Sequence, residues 1–218
     1  MFTLKPLIIE TASPPLMAVI WMHGLGADAH DFENIVSQLN LSQNKNFRFI
    51  FPNAPVRSIT INNGSPTRAW YDVKSLTDLN HEDEKGIRES NQFIETLIEE
   101  QMNSGIESKN IFLAGFSQGA AMSLFTGLRY PKPLAGIIAL SGYLPLPEKI
   151  KTERSSQNQT VPIFMAHGTC DTIVPIQLPQ YSKQCLESLG YKIHWHTYAM
   201  DHSVCAEEIQ AIGRFLRT

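Results

Sequence analysis

Asn110-Ile111-Phe112-Leu113-Ala114 runs without a break into Gly115-Phe116-Ser117-Gln118-Gly119, and the helix formers Ala120, Ala121 and Met122 follow at once. A short uninterrupted apolar run reads as a buried strand, and the small residues after the turn read as the start of a helix. A serine on a sharp strand-to-helix turn presents its hydroxyl at the end of a sheet. The N–H of the next residue, Gln118, then points at whatever that hydroxyl attacks. Glycines on both sides let the backbone bend that tightly. Without its flanks the stretch would be only a turn. With them, Ser117 is a candidate nucleophile.

Outward from this turn, strand and helix patterns alternate, as a mostly parallel central sheet with helices on both faces requires. Strand patterns cover 4–10, 16–22, 47–51, 136–140, 161–166 and 191–199. Helical spacing covers 31–39, 87–102 with Gly105 as its stop, 118–129, 176–189 and 204–216. Pro179 must lie in the first turn of its helix or delay its start. Residues 52–85 differ, being rich in Pro, Asn, Gly, Asp and Thr, with one brief strand signal at Ile59-Thr60-Ile61 ended by Asn62-Asn63-Gly64. Such a long irregular loop inside a compact domain is usually functional or mobile. Residues 145–160 read as a polar surface excursion. With no repeat and no composition break, the 218 residues are expected to form a single domain.

A net charge of −3 argues against a nucleic-acid partner, which would call for a clustered basic face. The three cysteines, Cys170, Cys185 and Cys205, make an odd count that does not suit a disulfide framework. They read as thiols in a reducing, cytoplasmic setting. The longest apolar run, 16–22, is far too short to span a bilayer, so no integral membrane segment is expected.

A serine hydroxyl needs a base to take its proton. Where a sheet presents a serine this way, the acid and the histidine follow from loops at the carboxyl ends of later strands, in that order. Beyond 161–166 lies His167-Gly168-Thr169-Cys170-Asp171, and beyond 191–199 lies Met200-Asp201-His202. Only Asp171 and His202 satisfy order and position together. Asp201 adjoins His202, and neighbouring side chains diverge, so a surface or capping role suits it better. His194 and His196 share one face of a strand, but no third ligand has metal-site spacing, so they read as sheet residues. His167 reads as a turn anchor and Cys170 as a packing thiol. A second oxyanion donor should follow an early strand, and His23-Gly24-Leu25-Gly26 has the form that brings the Leu25 N–H to a substrate oxygen.

Together these residues resemble the acyl-protein thioesterase and small carboxylesterase family of α/β-hydrolases, also called lysophospholipase-like. The resemblance runs from about Val19 to the C-terminus. It is carried by Trp21-Met22-His23-Gly24-Leu25-Gly26, Phe51-Pro52-Asn53-Ala54-Pro55, Ala69-Trp70-Tyr71-Asp72, Gly115-Phe116-Ser117-Gln118-Gly119 and Leu140-Ser141-Gly142-Tyr143-Leu144-Pro145. His167-Gly168-Thr169 with Asp171 and Val174-Pro175, and then His202, complete it. The resemblance implies Ser117 as nucleophile, His202 as base, Asp171 as orienting acid, and the Leu25 and Gln118 N–H groups as oxyanion hole. It also implies an acyl channel beneath the loop that holds Trp70 and Tyr71, although Trp70 reads equally well as a core aromatic. Asp72 reads as a fastener of that loop. Two positions depart from the family pattern: Ala120, where many members carry a second glycine, and Asn53, where histidine or serine is common. Some relatives are homodimers, but no interface is legible in this chain.

The chemistry expected is acyl transfer to water from a small-molecule or acylated-protein ester or thioester, with no cofactor and no metal. His202 takes the Ser117 proton during attack and returns it to the leaving alcohol or thiol. Water then releases the acyl group along the reverse path, while Asp171 fixes the imidazole tautomer. The alternative is a non-catalytic module that keeps the same fold to bind an acyl chain or a protein.

Overall fold

A computed structural model describes residues 5–41, 46–75 and 82–217. The long apolar runs become the centre of a seven-stranded sheet of order β1-β3-β2-β6-β7-β8-β9. Its strands are β1 (Leu7–Glu10), β2 (Met17–Met22), β3 (Phe47–Phe51), β6 (Ile111–Phe116), β7 (Gly136–Leu140), β8 (Ile163–Gly168) and β9 (Ile193–Tyr198). Only β1 runs antiparallel to its neighbour, and the other pairings are parallel. A parallel sheet needs crossover helices, and these cover both faces. On one face, α2 (Glu84–Asn103), α3 (Gln118–Arg129) and α5 (Gln177–Ser188) bury Ile94, Ile98, Leu124, Phe125 and Leu186 against Ile20, Leu113 and Ile163. On the other, α1 (Ile35–Gln38) and α6 (Ala206–Phe215) bury Ile35, Ile212 and Phe215 against Trp21, Phe49 and Phe164. This is the mostly parallel sheet that the sequence pattern implies and the α/β-hydrolase architecture that the resemblance implies. A further small helix, α4 (Ile150–Glu153), lies in the 145–160 excursion. There Asn158 is buried, accepting the Leu134 N–H and donating to the Tyr130 and Lys132 carbonyls.

Elsewhere local physics moves the expected boundaries. The helix expected over 31–39 shrinks to Ile35–Gln38, because residues just before it close i→i+3 turns instead, Glu33 N–H to His30 O and Ile35 N–H to Phe32 O. The strand signal at Ile59-Thr60-Ile61 ends at Ile59. It belongs to a hairpin of β4 (Val56–Ile59) and β5 (Ser65–Arg68), whose turn places Asn63 and Gly64 at φ of 54° and 76°. Pro66 sits in β5 without harm because this two-stranded sheet has only edges. Pro179 falls in the first turn of α5, where its missing N–H costs nothing. Gly105, at φ 98°, stops α2 as its position suggested. Residue 4 of the opening strand pattern, and 76–81 of the long loop, lie outside the described residues.

Candidate active site

Because β2, β6, β7, β8 and β9 are parallel, the loops after their carboxyl ends gather on one edge of the sheet. They carry His23, Ser117, Ser141, Asp171 and His202 respectively. At the end of β6, Ser117 takes φ 54° and ψ −117°, a conformation that L-residues rarely adopt. The positive φ falls on the serine itself. Its glycines serve close approach: a Cβ on Gly115 would stand 2.2 Å from the Gly119 backbone, and one on Gly119 would stand 2.1 Å from Met22 O. The turn is pinned by Ser117 N–H donating to Leu140 O at 2.8 Å. At the head of α3, the Ser117 hydroxyl caps no helix N–H and faces His202 instead.

His202 Nε2 lies 2.9 Å from Ser117 Oγ, and its Nδ1 lies 2.6 Å from Asp171 Oδ2. The Asp171 side chain is wholly buried. Its Oδ1 accepts the Ile173 and Val174 N–H groups at 2.9 and 2.8 Å, which leaves Oδ2 for the imidazole. His167 stands behind it: its Nε2 donates to Val174 O at 2.8 Å and lies 3.3 Å from Asp171 Oδ2. Burial, opposed by the Val174 carbonyl and by Asp171, lowers the His167 pKa and favours the neutral ring. Thus His167 anchors the turn that carries Asp171. Asp201 is exposed. His194 and His196 pack on Phe215 and Phe164, with ring centroids 5.5 and 4.8 Å apart.

The loop after β2 is fastened by His23. Its Nε2 accepts the Ala54 N–H at 3.1 Å, so Nδ1 carries the hydrogen and donates to Gly24 O at 2.7 Å. Burial lowers the pKa of this imidazole too. Asn53 joins the same corner by accepting the Ala29 N–H.

Over the serine lies a cavity of about 330 Å³, lined by Ser117, His202, Leu25, Gln118 and Tyr71, and by apolar Ile61, Val73 and Ile173. Trp70 is placed differently from the acyl-channel expectation. It is fully buried and absent from the cavity wall, its indole donating to His23 O and its ring stacking on Phe93. An indole with a carbonyl to satisfy its N–H belongs in the core. Asp72 does fasten the loop, accepting from Thr60 N–H and Oγ1 at 2.7 and 2.6 Å.

Two features had no signal in spacing alone. The Gln118 side chain spans the Trp70–Tyr71 backbone, Oε1 accepting the Trp70 N–H at 2.8 Å and Nε2 donating to Tyr71 O at 2.7 Å. Gly142 and Tyr143, inside a segment that carried the resemblance, both line the cavity.

A serine on a strained turn at the carboxyl edge of a doubly covered parallel sheet, under an apolar cavity, defines a hydrolase of carboxylic esters or thioesters. The profile of the family described as Phospholipase/Carboxylesterase matches residues 4–218, and the chain belongs to that family. It is similar to acyl-protein thioesterase 1 of Neurospora crassa, 39% identical over 97% of this chain and 90% of that one. It is similar also to acyl-protein thioesterase 1 of Mycosarcoma maydis, 38% identical over 99% and 97%. Among solved structures, SOBER1 of Arabidopsis thaliana superposes with a TM-score of 0.87 at 30% identity, covering 92% of this chain and 97% of that one. Among the described residues, no helix is long and apolar enough to cross a membrane.

Proposed function

We propose that this protein is a cytoplasmic serine esterase and thioesterase working through an acyl-enzyme on Ser117, with acylated proteins and small esters as its substrates. The observation that carries the reading is the continuous line from Ser117 Oγ through both nitrogens of His202 to a buried Asp171 oxygen. His202 Nε2 is placed to take the hydroxyl proton as Oγ attacks the acyl carbonyl, while Asp171 holds Nδ1–H and so fixes the tautomer. The Leu25 and Gln118 N–H groups, whose residues line the same cavity as the serine, are the donors for the developing oxyanion. The C–O or C–S bond breaks as His202 returns the proton to the leaving group. Water then attacks the acyl-enzyme with His202 as base, and Ser117 is released with its proton restored.

The thioesterase arm draws on the names of the relatives, and the apolar cavity suits an acyl chain. A fluorophosphonate probe should label Ser117 stoichiometrically. Ser117→Ala should abolish both labelling and hydrolysis of a chromogenic butyrate ester while melting like the parent. An unlabelled parent protein would instead favour the non-catalytic acyl binder.

A further inference from the structure

The cavity over Ser117 shares Tyr71, Val73 and Tyr143 with a second, much smaller pocket, so these three side chains form a partition between two spaces. The two sides differ in chemistry. On the serine side the walls include Leu25, Ile61 and Ile173, whereas on the far side they include Asp72, Lys74 and Glu82. A methylene is stabilised when it leaves water for an apolar wall. Pushed among polar and ionisable groups, it gains little and strips them of hydration.

The partition is also held rigidly. Tyr71 and Tyr143 are buried, and the backbone that carries Tyr71 is gripped by the Gln118 amide at one residue and by Asp72, bonded to Thr60, at the next. Ser90 Oγ donates to Trp70 O beside them. The segment carrying Tyr143 is pinned just beyond it, where Leu144 N–H donates to Ser182 Oγ at 2.8 Å and Leu146 N–H donates to Glu82 Oε2 at 2.7 Å.

We propose that Tyr71, Val73 and Tyr143 are the stop that sets the longest acyl chain this enzyme accepts, and that the Gln118 side chain is the positioning residue that holds Tyr71 in that stop. The proposal rests on the ester and thioester reading above and adds chain length to it. It gives Gln118 two separate duties, the backbone N–H toward the oxyanion and the side chain toward the acyl end.

The test is kcat/KM across p-nitrophenyl acetate, butyrate, octanoate, laurate and palmitate. In the parent protein the values should rise with burial and then fall once the chain meets the stop. Tyr143→Ala and Val73→Ala should each move that fall to longer chains, raising the long-to-short ratio about 10-fold or more, mostly through KM. Tyr143→Phe, which keeps the ring, should leave the limit where it is. Gln118→Ala retains the backbone N–H yet frees Tyr71, and should move the limit in the same direction. Val73→Ala removes least from the core, so it remains informative where Tyr143→Ala fails to fold. A parent enzyme that takes palmitate as well as octanoate, or a limit unmoved in folded Val73→Ala, overturns the stop. A parent protein that hydrolyses no ester and takes up no fluorophosphonate overturns the functional reading instead.

Discussion

Ala120 and Gly142 share one methyl-sized space behind Ser117. A Cβ on Gly142 would stand 2.6 Å from Ala120 Cβ and 2.6 Å from Ser117 O. The methyl at 120, a departure from the family's usual glycine, is thus accommodated by the lack of one at 142. Gly142→Ala should therefore push the Ser117 carbonyl and destabilise the protein by about 1–3 kcal/mol, with a matching loss of turnover. Ala120→Gly in the same chain should restore part of both, because one of the two clashes goes while that with Ser117 O stays. Urea unfolding of both single variants and the double variant checks this. Strictly additive losses would show that the two positions do not share the space.

Asp171→Asn separates orientation from folding. The amide oxygen can keep both backbone N–H groups now held by Oδ1, so the turn should survive. Its NH₂ would then face His202 Nδ1 where an acceptor now stands, and would turn the imidazole to the wrong tautomer. The expected result is a drop in kcat of about 10⁴ with a melting temperature close to the parent's. A drop smaller than about tenfold would mean that Asp171 does not set the tautomer.

The parts of the molecule legible in the sequence are those where one physical rule acts alone. β7 and α3 match their expected spans to the residue, because a strand buried on both faces and a helix buried along nearly its whole length each leave an unmixed pattern. That Ser117, Asp171 and His202 meet at one edge of the sheet was legible through topology, since parallel strands must deliver their loops there. Phe32, Ile35 and Leu39 had the right spacing and do pack on one face of the sheet. Their spacing is equally compatible with tight i→i+3 turns, so the helix there is short. Trp70 was ambiguous because an aromatic lines a channel or fills a core with the same letter. Its place was settled by the His23 carbonyl, a partner distant in sequence. The Gln118 clamp was hidden for the same reason.

His23 makes the loop that carries Leu25 sensitive to acid. Its Nε2 must be bare to accept the Ala54 N–H, and burial holds its pKa below the ordinary 6.5. A histidine whose folded pKa is lowered lends stability above its unfolded value and loses that stability as pH falls through the folded one. Acidification below about 6.5 should thus destabilise the parent, with a slope of up to about 1.4 kcal/mol per pH unit from this group. His167, lowered for the same reason, adds to the same window. His23→Gln keeps a donor and an acceptor but cannot titrate, so its stability should fall less steeply on acidification. Equal slopes in guanidinium unfolding from pH 7 to pH 5 would remove His23 from the account.

Glu208 acts in the opposite direction. It is fully buried in the first turn of α6, and among the described residues neither carboxylate oxygen meets a well-formed hydrogen-bond partner. Burial pushes its pKa from 4.5 to about 8, offset only in part by the Cys205 backbone N–H. The folded state therefore holds a proton that the unfolded chain gives up. For a carboxyl whose folded value is raised, the stabilisation is complete below about 4.5 and drains away as pH climbs toward 8. Glu208→Gln, neutral throughout, should flatten that decline and be more stable than the parent at pH 8, even if the amide packs slightly worse at pH 5. The crossing of the two stability curves is the signature to measure, by chemical unfolding at successive pH values. Parallel curves would show that Glu208 carries the same charge in the folded and unfolded protein.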